Sequence, residues 1–282
     1  MSYLKIPNLY KDQTILLFRH AFAMEKIHGT SAHISWNKGQ VHYFNGGANR
    51  ENFLKVLESA DLEKRFSDLG HEKVVVYGEA YGGKLQGMSA TYGKQLCFAA
   101  FEVQIGDVWL SVPQAHEVAL QKLGLGFVHY VQIPTDMEVI DRERDDASVQ
   151  AYKNGIQEPK IREGIVLRPL IELTKNNGER IICKHKRKEF METATEHEVN
   201  PEKRVVLEEA EAIALEWVTE MRLSHVLGKS DRTWTIKDTR DVVVAMIEDV
   251  NREGEGEFAP SKEANKAIGT RASKLFLQYL KG

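Results

Sequence analysis

The sequence is poor in cysteine, with only Cys97 and Cys183 among 282 residues. Two thiols exclude a disulfide scaffold and a cysteine-rich zinc site, and they point to a reducing compartment. No window approaches 18 uninterrupted apolar residues, which excludes a membrane-spanning helix. The opening MSYLKIPNLYKDQT has no apolar core of the kind a secretory signal requires, so an intracellular, cytoplasmic setting is expected. Internal repeats and low-complexity tails are missing as well. So is an excess of charge of either sign. Lys+Arg 38 against Asp+Glu 41 gives −3, and that total by itself argues against a nucleic-acid partner.

What is present is length, a core and unevenly placed charge. At 42% hydrophobic and 28% charged, the chain can bury a sizeable core and is long enough for two domains. Residues 1–50 carry six basic and two acidic side chains, a local +4, and residues 160–190 carry nine and four, a local +5. Residues 101–150 carry three and nine, and residues 196–282 carry thirteen and seventeen, so both are acidic. If the two basic blocks meet in the fold, they make one positive site inside an acidic protein.

Residues 14–110 read mostly as strands. ISW (34–36), the turn at Asn37-Lys38-Gly39-Gln40 and VHYF (41–44) form a hairpin pattern. Apolar spacing at Phe53, Leu54, Leu57 and Leu62 predicts a single helix from Phe53 to Phe66, and Pro113 to Leu123, closed by Gly124, predicts another. VVVY (74–77) and CFAAFEVQI (97–105) read as strands. The polar stretch 135–160 predicts one short helix near 145–153. GIVLRPLIEL and ERIICKHK flank Lys175-Asn176-Asn177-Gly178, a second hairpin signal. Asn200-Pro201 predicts a helix start, with Val206, Ala210, Ile213, Trp217 and Met221 recurring at helical spacing. Helices over 237–252 and 261–280 follow, separated by a REGEGEF stretch that reads as flexible. Trp36, Trp109, Trp217 and Trp234 are scattered and read as packing residues. The expected division is a β-rich domain over 1–196 and a small all-helical domain over 197–282, an α+β chain.

The strongest local signal is Glu25-Lys26-Ile27-His28-Gly29-Thr30, a lysine and a close-approach glycine between two strands. Spacing alone does not select it, because Lys-x-x-Gly also begins at Lys84, Lys175 and Lys266. Order does. Only Lys26 precedes Tyr77-Gly78-Glu79-Ala80-Tyr81-Gly82, then Phe98-Ala99-Ala100-Phe101-Glu102-Val103, then Glu163-Gly164-Ile165-Val166-Leu167-Arg168, then Cys183-Lys184-His185-Lys186. Each follows or ends a predicted strand, where side chains can converge. Gly78 to Lys84 also fits the phosphate-loop pattern of NTPases, but Leu85 stands where that loop needs Ser or Thr, and Glu79 would repel the phosphate.

This ordered series resembles the nucleotidyltransferase motifs of covalent lysine-adenylate enzymes. With His28 where DNA ligases and capping enzymes usually carry Asp, it resembles the RNA ligase 2 family in particular. The resemblance implies an ATP-grasp-like ligase adenylation domain followed by a helical C-terminal domain. It implies a reaction in which Lys26 attacks the α-phosphorus of ATP, AMP passes to an RNA 5′-phosphate, and a 3′-hydroxyl displaces it. By the same resemblance, Lys184 and Lys186 hold the α-phosphate, Glu79 the ribose hydroxyls, and Phe101 stacks on adenine. Glu25 helps read the base, Arg50 contacts the reacting phosphates, His28 serves the chemistry, and Glu163 binds Mg²⁺ (or Mn²⁺) directly or through water. Amine attack needs a neutral lysine against an ordinary pKa of about 10.4, so neighbouring cations and a metal suit the task. The implied partners are RNA strands with 5′-phosphate and 3′-hydroxyl ends, expected in a duplex, with no membrane and no obligate protein partner. A DNA or hybrid-joining enzyme with the same core, and a non-catalytic nucleic-acid-binding relative, stay open as alternatives. Glu102, where the family usually has Asp, is a departure.

Overall fold

The computed structural model describes residues 3–175, 178–191, 210–230 and 232–281. The chain forms two compact units, Met1–Arg187 and Lys188–Gly282.

In the first unit, nine strands among the described residues form two antiparallel sheets. They are β1 (His20–Lys26), β2 (Thr30–Asn37), β3 (Gln40–Phe44), β4 (Lys73–Gly82), β5 (Leu96–Ile105), β6 (Val108–Trp109), β7 (Tyr130–Pro134), β8 (Gly164–Pro169) and β9 (Cys183–Lys186). One sheet runs β7-β1-β8-β9 and the other β3-β2-β4-β5-β6. Phe22 and Met24 of β1 share a buried core with Ile34, Val74, Val76, Ala100 and Val103 from the second sheet. The alternation of β1 explains this. Phe22, Met24 and Lys26 fall on one face, so the apolar row that reaches the core ends in a lysine.

The first hairpin forms as its residues require. Asn37 pairs with Gln40, and Lys38 and Gly39 both take positive φ (47° and 85°), the two-residue turn that matches strand twist. VVVY and CFAAFEVQI lie in β4 and β5. Gly78 to Gly82 belong to the β4 ladder, which leaves no phosphate loop there.

Two helix expectations in the first unit need correction. Phe53 to Phe66 is not one helix. A helix over Arg50–Leu57 and another over Leu62–Asp68 are separated at Asp61, which is left-handed (φ 43°). The core residues Phe53, Leu57, Leu62 and Phe66 show why. The five-residue step from Leu57 to Leu62 lies about 140° out of helical phase, so only a break lets both pairs face the core. The polar 135–160 stretch holds two helices, Met137–Asp145 and Val149–Lys153. The first is opened by Asp136, whose carboxylate accepts from the Glu138 and Val139 amides, a cap hidden in a run of charges. The helix begun at Val112 runs to His116 and continues as a π-helical turn to Lys122.

β8 and β9 pair from Gly164↔Lys186 to Leu167↔Cys183, and a Thr174↔Arg180 bridge extends the hairpin. Asn176 and Asn177 at its turn lie outside the described residues, as do Asn200, Pro201 and Val206.

The second unit contains helices Ala210–Trp217, Glu220–Leu227, Thr239–Glu253 and Lys262–Tyr279 around a core of Trp217, Leu223, Met246, Ile268 and Phe276. Met221 does not continue the helix of Trp217. Thr219 breaks it and caps the next helix by accepting from the Arg222 amide. REGEGEF is a built turn rather than a loose link, since Phe258 is buried against Trp217. Among the described residues no helix is long and apolar enough to cross a membrane.

Candidate active site

The site forms where the core-facing row of the four-stranded sheet turns from apolar to charged. Lys26 of β1 and Lys186 of β9 stand opposite Gly164 of β8 from either side. Residues directly opposite share a face, so the two lysines flank a position that has no side chain. Both reach the carboxylate of Glu163. Lys26 Nζ donates to Oε2 at 2.9 Å, and Lys186 Nζ lies 3.0 Å from Oε1. His28 Nδ1 lies 3.2 Å from the same Oε2.

Glu163 is 2% exposed. Burial alone would push its carboxyl up, but Lys26 and Lys186, followed by the His28 hydrogen bond, hold it well below the usual range. Glu79 on β4 shows the opposite outcome. Desolvation dominates there and, aided by the charge of Glu163, pushes its carboxyl up to about 8 although Lys26 and the Gly29 amide favour the ionised form. Two carboxyls around one lysine are therefore held in different protonation states at neutral pH.

Glycine is required at two points by close backbone approach. A Cβ on Gly29 would sit 2.3 Å from the Ala80 carbonyl oxygen of β4, and one on Gly164 would sit 2.2 Å from the His185 carbonyl oxygen. Gly29 thus serves strand packing. His28 is fixed from behind, its backbone amide donating to the hydroxyl of buried Tyr92 at 3.3 Å.

The structure brings together Lys26, His28, Glu163 and Lys186, with Glu79 facing them. Lys184 lies one row along β9, opposite Val166 and on the face of Lys186. The remaining expected residues have other neighbours. Glu25 alternates to the other face of β1, where its carboxylate accepts from the Ser148 hydroxyl at 2.5 Å and the Gln150 amide at 3.1 Å. It anchors the start of the Val149–Lys153 helix. Arg50 is exposed in the first turn of its helix, and the Gly46-Gly47 loop before it is tied to β2 by the Gly47 amide donating to Thr30 Oγ1 at 3.0 Å. Phe101 is the extra residue of a β-bulge, since Tyr77 pairs with Glu102 and Gly78 with Ala100. Its partly buried ring meets the edge of Tyr3 at 4.9 Å.

Sequence reasoning missed a buried ionic hub. Glu102 is fully buried and pairs with Arg168 Nη1 at 3.0 Å and Arg180 Nη1 at 3.0 Å, while the Tyr3 hydroxyl donates to it. Glu172 closes the group by accepting from Arg168 Nε at 3.0 Å and Arg180 Nε at 3.2 Å. The +5 block is accordingly largely neutralised inside the fold, with Arg162 on Glu143 and Lys175 on Asp12 as further pairs. A signal existed: Glu102 and Arg168 each interrupt an apolar strand, and opposite charges inside two such runs call for each other.

Two antiparallel sheets, with a lysine on each side of a glutamate at the end of their shared core, define a nucleotidyltransferase fold. The chain belongs to the RNA ligase family, whose sequence profile matches residues 19–186. Among solved structures it resembles a variant of the Naegleria gruberi RNA ligase with ATP and Mn, at 13% identity and a TM-score of 0.52 over 67% of this chain and 56% of that one. An apo variant of the same ligase gives 14% identity, a TM-score of 0.53 and coverage of 67% and 57%. An archaeal ATP-dependent RNA ligase aligns over 99% of this chain and 65% of its own, at 16% identity and a TM-score of 0.49. The chain thus spans little more than half the length of the Naegleria ligase. A search of curated proteins finds no match.

Proposed function

We propose that the chain is an ATP-dependent RNA ligase that self-adenylates on Lys26, transfers AMP to an RNA 5′-phosphate and seals it to a 3′-hydroxyl at duplex nicks. The observation that carries this reading is the convergence of Lys26, His28 and Lys186 on Glu163 in a chain of the RNA ligase family.

Lys26 attacks the α-phosphorus of ATP through its Nζ lone pair, forming the N–P bond as the bond to the pyrophosphate oxygen breaks. The Lys26–Glu163 contact must therefore be given up before reaction. Lys186 and Lys184, which share one face of β9, take the α-phosphate oxygens and balance the charge that develops there. Glu79, neutral at pH 7, presents a carboxyl proton that can be donated to a ribose oxygen. Phe101 is the stacking candidate for adenine, and Arg50 the contact for the outgoing phosphates. No cluster of three or more His, Cys, Asp or Glu side chains suited to a metal occurs among the described residues. Glu163 is the carboxylate that would hold Mg²⁺ or Mn²⁺, directly or through water, once Lys26 has released it. Bound there, the metal would supply charge neutralisation at the phosphates. Residues 1–196 act as the adenylation domain and 197–282 as the helical domain that engages RNA.

A sealing assay tests the sequence of steps. Lys26→Ala protein should fail to join a 5′-phosphorylated nick yet seal a strand supplied already adenylated. Failure on both substrates, with the fold intact, would contradict the assignment of Lys26 to the first step alone.

A further inference from the structure

Tyr3 opens a segment that touches both sheets of the first unit, and the chemistry at Glu163 does not use it. The segment lies along β9. There the Leu9 amide donates to the Lys184 carbonyl at 2.8 Å, and the Lys184 amide donates to the Pro7 carbonyl at 2.8 Å. Asn8 thereby bridges Lys184 in parallel register, and Leu9 is fully buried. At its other end Tyr3 reaches β5 of the second sheet, where its hydroxyl donates to Glu102. Residues 3–9 thus strap one sheet to the other.

Burial, and after it the charge of Glu102, pushes the pKa of the Tyr3 hydroxyl well above its usual range, so it stays a donor. Glu102 is itself held by Arg168 and Arg180. Tyr3 is therefore anchored by its hydroxyl on the ionic hub and by its segment on β9.

The Tyr3 ring meets an aromatic cluster. Its centre lies 4.9 Å from that of Phe101, 5.1 Å from Tyr77 and 6.3 Å from Trp109. The Tyr3 and Phe101 planes cross at 71°, the edge-to-face arrangement that aromatic quadrupoles favour. Tyr77 stands two residues before Glu79 on β4, so the cluster continues the face that presents the Glu79 carboxyl to the charge of Lys26.

Phe101 needs such a neighbour. As the extra residue of a β-bulge it has no partner on β4, and a bulge re-aims a side chain while interrupting the ladder beside it. Its ring is only partly buried. A ring held in place before a base arrives loses less rotamer freedom on binding, which strengthens the complex.

We propose that Tyr3 is a positioning residue for nucleotide binding, holding the Phe101 ring in the orientation that stacks on adenine. The proposal rests on the reading above in which Phe101 is the stacking residue.

The test measures AMP binding to the full chain by titration calorimetry, comparing wild type with Tyr3→Ala, Phe101→Ala and the double variant. Both single variants should weaken binding, Tyr3→Ala by about two- to tenfold, the worth of one aromatic pair. The double variant should bind no more weakly than Phe101→Ala alone, because Tyr3 acts through Phe101. A merely structural loss would add to that of Phe101→Ala. Tyr3→Phe keeps the ring and should bind AMP closer to wild type than Tyr3→Ala does. If Tyr3→Ala does not fold, Tyr3→Leu, which keeps apolar bulk without a ring, should show the same loss. Wild-type AMP affinity in Tyr3→Ala, Tyr3→Leu or Phe101→Ala would overturn the proposal. So would losses that add in the double variant, or a wild-type protein that binds no AMP. Wild-type protein that binds AMP yet takes no covalent label from ATP would strike the self-adenylation reading and leave this comparison standing.

Discussion

Lys26 and Lys186 face each other across Gly164, and each spends its ammonium on a different oxygen of Glu163. Two basic segments 160 residues apart are thereby joined through one buried carboxylate. A side chain on Gly164 would collide with the β9 backbone, so the gap between the lysines is enforced by packing.

Glu163→Gln tests this bridge. It leaves two lysines around a neutral amide, which should destabilise the first unit by about 2–3 kcal/mol, below the fully buried range because Lys26 reaches solvent. Urea unfolding followed by amide exchange in β8 and β9 reports this unit by itself. The rate of adenylation should fall at least about tenfold.

Glu79 sets a pH dependence. Its carboxyl is raised from 4.5 to about 8 by burial, so between those values the folded chain holds a proton that the unfolded chain releases. Its contribution is fully present below about pH 4.5 and is lost as pH rises to about 8. Glu79→Gln should therefore flatten the decline in unfolding free energy across this window, measured by urea unfolding at a series of pH values. An unchanged slope would remove Glu79 as its source.

The structure gives Glu102 a scaffold role, buried between Arg168 and Arg180. Glu102→Asp, one methylene shorter, cannot span Arg168 and Arg180 together and should cost about 1–2 kcal/mol. Glu102→Gln removes the charge that both guanidinium groups need and should cost about 3 kcal/mol. A Glu102→Asp protein as stable as the wild type would show that reach is unimportant.

Much of this was legible in the residues, for identifiable reasons. Strand alternation in β1 and the two-residue spacing of Lys184 and Lys186 place lysines on one face, and turn chemistry at Lys38-Gly39 fixes a register. The break at Asp61 was also readable, in the five-residue step between Leu57 and Leu62, but apolar spacing alone concealed it. The Asp136 cap was masked by its acidic neighbours. The hub of Glu102, Arg168, Arg180 and Glu172 was hidden because charge counting treats every arginine as available, whereas burial consumes these in pairs. The separation of Glu25 from Lys26 follows from alternation once the core-facing side of β1 is known, and that side depends on the packing of the second sheet.

The most direct measurement is covalent labelling of the full chain with α-labelled ATP and Mg²⁺, followed by peptide mapping, on wild-type and Lys26→Ala protein. One AMP on Lys26, and none on the variant, is the expected result. Wild-type protein that takes no label, or a variant that still does, would contradict the assignment of Lys26 as nucleophile.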